Sequence, residues 1–260
     1  MKYIVCLKQV PETDKVKINP ETGTLIREGV KSIINPYDLY ALEAALKAKD
    51  AYGGKIVVIS MGPPQTEEAL REAIAYGADE AILLSDRAFA GADTLATSYT
   101  LAQAIKKIGD YNIIFCGKQA IDGDTAQVGP ELAYRLGLPY ATYVHKFEIK
   151  DGSLIVERDL DDGTQVLKLN LPALVTIVKE IGEPRVPSIR GKMKAKKAKI
   201  PIWTAGEIEA DEEKIGLNGS PTRVVNVFSP PARGKKEIFT GKPDECVKQL
   251  CERLGEVISI

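Results

Sequence analysis

Histidine is almost missing from this 260-residue chain: His145 is the only one. A Ser/His/Asp or Cys/His catalytic team would have to be built around that single residue. It stands at the start of a β-forming stretch, away from any loop with catalytic character, and reads as structural. The four cysteines, Cys6, Cys116, Cys246 and Cys251, show no C-x-x-C spacing and pair with no histidine or carboxylate at metal-ligand intervals. No metal site and no disulfide framework are expected, which fits a reduced, cytoplasmic interior. Charge of one sign is also lacking. Thirty-five Lys+Arg face 36 Asp+Glu, a net charge of −1, so no global field draws the chain to nucleic acid or an anionic membrane. Long apolar runs are absent as well. Ile56–Ile59 and Ala81–Leu84 are strand-sized, far below the ~20 residues of a membrane span, and Met1–Cys6 reads directly as a strand rather than as a signal peptide. Two phosphate fingerprints are missing too. No G-x-G-x-x-G follows the first strand, and there is no G-x-x-x-x-G-K-[ST] loop, so P-loop phosphoryl chemistry is disfavoured.

What is present is ordinary globular composition, 44% apolar and 27% charged, arranged as alternating strands and helices. Tyr3–Val10 reads as a strand, and Val16–Ile18, Glu21-Thr22-Gly23 and Thr24–Arg27 as a small inserted hairpin. Asn35 is placed to cap a helix that Pro36 opens and Gly53-Gly54 ends. Strands over Ile56–Ser60, Ala81–Leu84 and Ile113–Cys116 alternate with helices over Thr66–Tyr76, Thr94–Lys107 and Glu131–Leu136. Four such alternations predict an α/β fold: an open, mostly parallel, doubly wound sheet of the Rossmann-like, adenine-nucleotide-binding kind. From Tyr140 the period becomes that of strands, and residues 140–180 read as a β-meander closing one edge. A basic stretch follows, with Arg190, Lys192, Lys194, Lys196, Lys197 and Lys199 beside the apolar Ile189 and Met193. It reads either as a solvated face or as a docking element; RNA binding is weak, since no aromatic residues interleave. Residues 1–200 are expected as one domain and 201–260 as a C-terminal arm ending in a helix over Asp244–Leu254. The arm has too few apolar residues to close a core alone.

In an open parallel sheet, ligands bind beyond the carboxyl ends of the strands. There lie Lys8–Pro11, Ser60-Met61-Gly62, Ser85–Thr97 and Gly117–Gly129. Two of these stretches, Gly91-Ala92-Asp93-Thr94 through Thr97 and Gly123-Asp124-Thr125-Ala126-Gln127-Val128, place small or hydroxylated residues at a helix start. Such a start suits a phosphate; Asp93, Thr94, Asp124 and Thr125 are equally suited to be plain helix caps. Pro130 implies an unusual turn, because a helix begun near Thr125 would leave the Ala126 carbonyl unpaired. Nucleotide-like loops with no acid–base team suggest a protein that holds a cofactor and lets it react, with no catalytic side chain of its own.

The stretches Val5–Pro11, Asn35–Asp38, Ser60–Pro64, Gly77–Glu80, Asp86–Thr94, Gly117–Gly129 and Pro184–Lys199 together resemble the β-subunit family of electron transfer flavoproteins. The resemblance is dense over residues 1–205 and loose beyond. It implies a heterodimer with an α subunit that carries FAD and exchanges electrons with acyl-CoA-type or other flavin-linked dehydrogenases, or a quinone oxidoreductase. It also implies an adenine nucleotide on this chain: AMP in most members, a second FAD reduced by NADH in the electron-bifurcating group, which also passes electrons towards ferredoxin-type acceptors. Asp122–Gly129 and Asp86–Thr97 resemble the bifurcating group more. Under the resemblance the nucleotide contacts are Cys6, Lys8, Asn35, Asp38, Ser60, Met61 and Gly62; the Gly91–Thr94 turn with Thr97; and Cys116, Gly117, Gln119 and the Gly123–Val128 turn. Tyr37, Asp38 and Phe89 would line the approach of NADH. Residues 184–199, through Ile189, Arg190, Met193 and Lys194, would dock the dehydrogenase. An adenylating or ATP-hydrolysing enzyme on the same architecture is the competing class. Lys8–Glu12 stands where its Ser/Gly-rich loop would be, which argues against it.

Overall fold

A computed structural model describes residues 1–12, 17–18, 25–26, 32–225 and 237–257. In chain order the elements are β1 (Lys2–Cys6), β2 (Gln9–Pro11), β3 (Lys17–Ile18), β4 (Leu25–Ile26), β5 (Ser32–Ile34), α1 (Pro36–Tyr52), β6 (Lys55–Met61), α2 (Glu67–Tyr76), β7 (Glu80–Leu84), α3 (Thr94–Ile108), β8 (Ile113–Gly117), α4 (Val128–Leu136), β9 (Tyr140–Lys150), β10 (Ser153–Leu160), β11 (Gly163–Asn170), β12 (Ala173–Ile177), α5 (Ile189–Lys197), β13 (Ile202–Trp203) and α6 (Pro243–Val257). They fall into two compact units, Met1–Val225 and Asn226–Ile260.

The first unit is built on a nine-stranded sheet of order β11-β10-β9-β12-β8-β1-β6-β7-β13. Every pairing from β9–β12 to β7–β13 is parallel, and only the β9–β10–β11 hairpins are antiparallel. Strand alternation divides the core into two layers. Tyr3 and Val5 of β1 face the side packed by α1, α2 and α5, whereas Ile4 and Cys6 face α3 and α4. The chain winds from β1 outward through β6 and β7, then returns to β8 on the opposite side of β1. That reversal makes the gap between the carboxyl ends of β1 and β8 a topological switch point, where such sheets take ligands.

Three local expectations need correction. The run Tyr3–Val10 is two strands. The Lys8 amide donates to Asp38 Oδ2 at 2.7 Å instead of to a neighbouring strand, so the ladder ends and Gln9–Pro11 pairs antiparallel with β5 in a separate ribbon. The final segment of the expected meander does not sit at the edge: β12, buried at every position, inserts parallel between β9 and β8. A continuous apolar run is what a strand covered on both faces requires. Finally, α4 begins at Val128 rather than Glu131, so Pro130 falls in its first turn, where a missing N–H costs nothing, and the unusual turn it implied lies just before, at Asp124 and Ala126. The small hairpin is present as β3–β4; its turn, Glu21-Thr22-Gly23, lies outside the described residues.

The expected arm divides. Residues 202–225 belong to the first unit: β13 pairs with β7, and Ile208 and Ile215 are buried against the α3 side of the core. In the second unit, Arg253 pairs with Glu237 and Glu256, and Val247, Leu250 and Leu254 are exposed on α6. Among the described residues no helix is long and apolar enough to cross a membrane.

Candidate functional site

The loop after β8 is tied to the start of α1 by polar groups from positions far apart in sequence. Asn35 occupies the cap position of α1 but makes no cap bond. Its fully buried side chain instead donates to the Gln119 carbonyl at 2.8 Å and accepts from the Ile121 amide at 3.1 Å. Lys8 Nζ reaches Asp122 at 2.6 and 2.8 Å. Gly117 lets the strand end approach α1: a Cβ there would stand 2.3 Å from Asp38 Oδ1 and 2.7 Å from the Tyr37 backbone. Burial pushes the Asp38 carboxyl up to about 7, although the Lys8 amide, the Asn35 side chain and the Gly117 amide all favour its charged form.

Beyond this clamp the loop stands open. Ile121 to Thr125 and Gln127 are exposed, and nothing lies within 4 Å of where a Gly123 Cβ would be. Asp124 and Ala126 both take a φ of 54°, a left-handed conformation that residues other than glycine adopt at a cost. It leads into α4, whose cap position, Gln127, gives no side-chain cap. The cap therefore supplies no side-chain acceptor to the Val128 and Gly129 amides, while Pro130 has no N–H and the Glu131 amide donates to the Gln127 carbonyl at 3.0 Å. Together with the helix dipole, this is a place for an anion. Gln119 bonds Asp124 within the same loop.

The second candidate turn is filled from within. Asp93 caps α3 by accepting from Ala96 N at 3.1 Å, and its other oxygen accepts from the Thr222 hydroxyl and amide at 2.9 and 3.2 Å. Partial burial raises this carboxyl, but those donors outweigh it and hold it below the ordinary range. Thr94 donates to Glu131 at 3.1 Å. Gly91 packs on Leu217. Ala92, next to it, carries the chain into the Asp93 cap, and Thr97 continues the helix with its amide bonded to the Asp93 carbonyl at 2.9 Å. Of the two helix starts singled out, one is open and one is occupied by its own aspartate.

The other expected positions separate similarly. Cys6 and Cys116 are register partners on β1 and β8, both buried. The adjoining Cys6 thiol and burial push the Cys116 thiol well up, and both side chains are packed under the edge. Ser60, one residue before the end of β6, is fully buried, its Oγ with no partner among the described residues. Met61 is half-buried, and Gly62 abuts Thr66. Phe89 is turned into the core, 5% exposed, because it anchors the segment carrying Ile208 and Ile215. Tyr37, half-buried, sits instead beside Lys118, whose Nζ lies 5.9 Å from its ring centre and 5.1 Å from that of Tyr143. Lys118 and Tyr143 have no spacing signal that could have marked them. Tyr143 owes its place to a bulge in β9, with φ 61° and its amide bonded to Thr176 Oγ1 at 3.1 Å. His145 is on β9 with Nδ1 2.8 Å from Asp159. No group of three or more metal-ligating side chains is found among the described residues.

The basic segment is a helix. Ser188 caps α5 by accepting from Gly191 N at 3.0 Å. Arg71 on α2 donates to the Ala195 and Ala198 carbonyls, and Lys194 donates to the Ala78 carbonyl at 2.9 Å. Lys194 is thus spent within the chain, while Ile189, Arg190 and Met193 are exposed. The lead-in is held by Arg185, which binds the buried Glu43 through its amide and guanidinium at 2.9–3.0 Å.

Comparison with known proteins gives the family. The electron transfer flavoprotein domain matches residues 22–208. The chain belongs to the electron transfer flavoprotein β-subunit family. It is 54% identical over 256 residues to the electron transfer flavoprotein subunit beta of Thermoanaerobacterium thermosaccharolyticum, covering 98% of each chain. It is 52% identical over 258 residues to the caffeyl-CoA reductase-Etf complex subunit CarD of Acetobacterium woodii, again 98% of each. To protein FixA of Bradyrhizobium diazoefficiens it is 47% identical over 262 residues, covering 98% of this chain and 91% of the relative. Electron transfer is accordingly the role of this flavoprotein subunit, and the doubly wound sheet is the frame on which it is carried out.

Proposed function

We propose that the chain binds FAD at the β1/β8 edge and receives electrons there from NADH, as the β subunit of an electron-bifurcating flavoprotein. Those electrons pass to the FAD of an α subunit and on to partner dehydrogenases or ferredoxin-type acceptors, in the cytoplasm. The observation that carries this reading is the uncapped start of α4 behind an exposed loop, with open space at Gly123. The amides of Thr125, Ala126, Gln127 and Val128 would hold the diphosphate. Because the Asp93 turn is satisfied internally, the phosphate contact rests on the α4 turn alone. The bound flavin supplies the redox chemistry. The residues of this chain bind and orient it: Asn35 and Lys8 keep the loop in place, while Tyr37 and Lys118 border the approach. The resemblance of Asp86–Thr97 and Asp122–Gly129 to the bifurcating group supports FAD over AMP, and likeness to a subunit of a caffeyl-CoA reductase-Etf complex supports an acyl-CoA-type dehydrogenase as partner. Exposed Ile189, Arg190 and Met193 on α5 are proposed as its docking face, and the 226–260 unit as a contact to the α subunit.

The test is to co-express the chain with its α subunit, denature the complex and count what is released. Two flavins and no AMP per heterodimer are expected. One flavin with one AMP would overturn the FAD assignment. Ala126→Glu, which puts a carboxylate at the phosphate turn, should reduce the count to one flavin while the fold survives, checked by an unchanged circular dichroism spectrum.

A further inference from the structure

Asp38 stands in the first turn of α1, yet only 7% of it is exposed. Its Oδ2 accepts the Lys8 amide, and its Oδ1 backs directly onto Gly117, where no Cβ would fit. The carboxyl therefore lies where the β1 turn meets the loop that follows β8. The later residues of that loop are the ones assigned above to a nucleotide, and the inference rests on that reading.

We propose that Asp38 is a positioning residue whose buried carboxyl sets the register between the β1 turn and the 117–122 loop, and that binding of an anionic nucleotide at this loop is coupled to uptake of one proton by Asp38. The surroundings support the coupling. Burial opposes the charged form and places the group at about 7, while three hydrogen-bond donors and the Lys8 charge work the other way. The titratable and charged groups facing it are few. Lys8 from the β1 turn and Cys116 from β8 interact with it electrostatically; Cys6 adjoins Cys116, Tyr37 precedes Asp38 on α1, and Lys118 and Asp122 stand on the loop after β8. Lys8 is engaged by Asp122, Lys118 lies over the Tyr37 and Tyr143 rings, and the Cys116 thiol is held protonated beside Cys6. No ion pair joins a cation to Asp38 among the described residues, so added negative charge is answered most readily by a proton. A nucleotide phosphate repels the carboxylate and spares the acid. One H⁺ then passes from solvent to an Asp38 oxygen as the nucleotide binds, and affinity falls as pH rises through 7.

Calorimetric titration of the full-length, nucleotide-free chain tests this, with AMP and FAD as probes in pairs of buffers that differ in protonation enthalpy. Wild type should take up a fraction of a proton, with a pH midpoint near 7. Its affinity should fall by up to about tenfold per pH unit above that point. Asp38→Asn should bind with no uptake and no slope. Asn35→Ala, which removes the loop tether and leaves the carboxyl, should bind more weakly at every pH with uptake retained. Binding by wild type without uptake, a midpoint more than about one unit from 7, or equal uptake by Asp38→Asn would each overturn the coupling and leave the nucleotide reading standing. Failure of wild type to bind either probe would overturn both. The wild-type midpoint decides the matter even if Asp38→Asn does not fold.

Discussion

Asp38 stores free energy that its neighbours return only in part. Its folded value of about 7 lies above the ordinary carboxylate range, so between about pH 4 and 7 the folded chain binds more protons than the unfolded one. Stability from this group is then greatest below that window and is lost as pH rises through it. Asp38→Asn keeps an acceptor for the Lys8 amide and cannot ionise. Relative to wild type it should gain stability as pH rises from 4 to 7, reaching a few kcal/mol above 7. Melting temperatures of the two proteins across that range check the sign: parallel curves would show that the carboxyl is not perturbed. Gly117→Ala attacks the same contact sterically and should cost about 1–3 kcal/mol, since the added methyl meets backbone as well as the carboxylate. Asn35 shows what single residues conceal. Its type and its place before Pro36 spell a helix cap, but the bonds it makes lie 84 and 86 positions away. Spacing along a chain carries no record of such a partner. Glu43 is hidden for the same reason, as an acidic residue on a helix whose buried ion pair comes from Arg185.

Elements were legible where burial imposes a period. The core strands and the helices between them appear close to where alternation of apolar runs puts them, because each must cover one sheet face. Ends were legible only where a local signal sets them. Gly53 ends α1 with a φ of 68°, whereas the β1 ladder stops short of Lys8 because a carboxylate from α1 takes the Lys8 amide. The basic segment was ambiguous because its charges dominate its composition, and the helix is decided by a serine cap and the close seat of Gly191 on Ala75. This geometry separates two substitutions. Ile189 is 82% exposed, so Ile189→Ala should change stability by no more than about 0.5 kcal/mol while slowing electron transfer to the partner dehydrogenase severalfold in a stopped-flow assay. Glu43→Gln weakens the Arg185 anchor beneath the lead-in and should cost about 1–3 kcal/mol. A loss of stability from Ile189→Ala, with the transfer rate per folded molecule unchanged, would remove α5 as the docking face.

Across the whole chain, the parallel sheet and its switch point follow from the alternation of elements and the handedness of their connections. The end of the first unit does not. Residues 202–225 look like the start of a polar arm, yet they supply the last strand, two buried isoleucines, and the Ser220 and Thr222 groups that bond Asp93. Few apolar residues suffice there because the sheet already provides the surface they cover. Two truncations therefore have different consequences. Deletion of 226–260 removes only the second unit, and the remaining chain should melt within a few degrees of wild type while binding the α subunit more weakly in sedimentation velocity. Deletion of 205–260 also strips Ile208 and Ile215, each worth roughly 1.5–3 kcal/mol of burial, and should lower the melting temperature by roughly 6 °C or more. Trp203, the only tryptophan, gives a direct optical readout. It lies in β13 with Lys107 Nζ 4.6 Å from its ring centre. Its emission should be unchanged when the chain stops at Val225 and should shift to the red when it stops at Thr204, as β13 loses the segment that holds it down. A red shift already present when the chain stops at Val225 would move the boundary of the folded sheet unit beyond that residue.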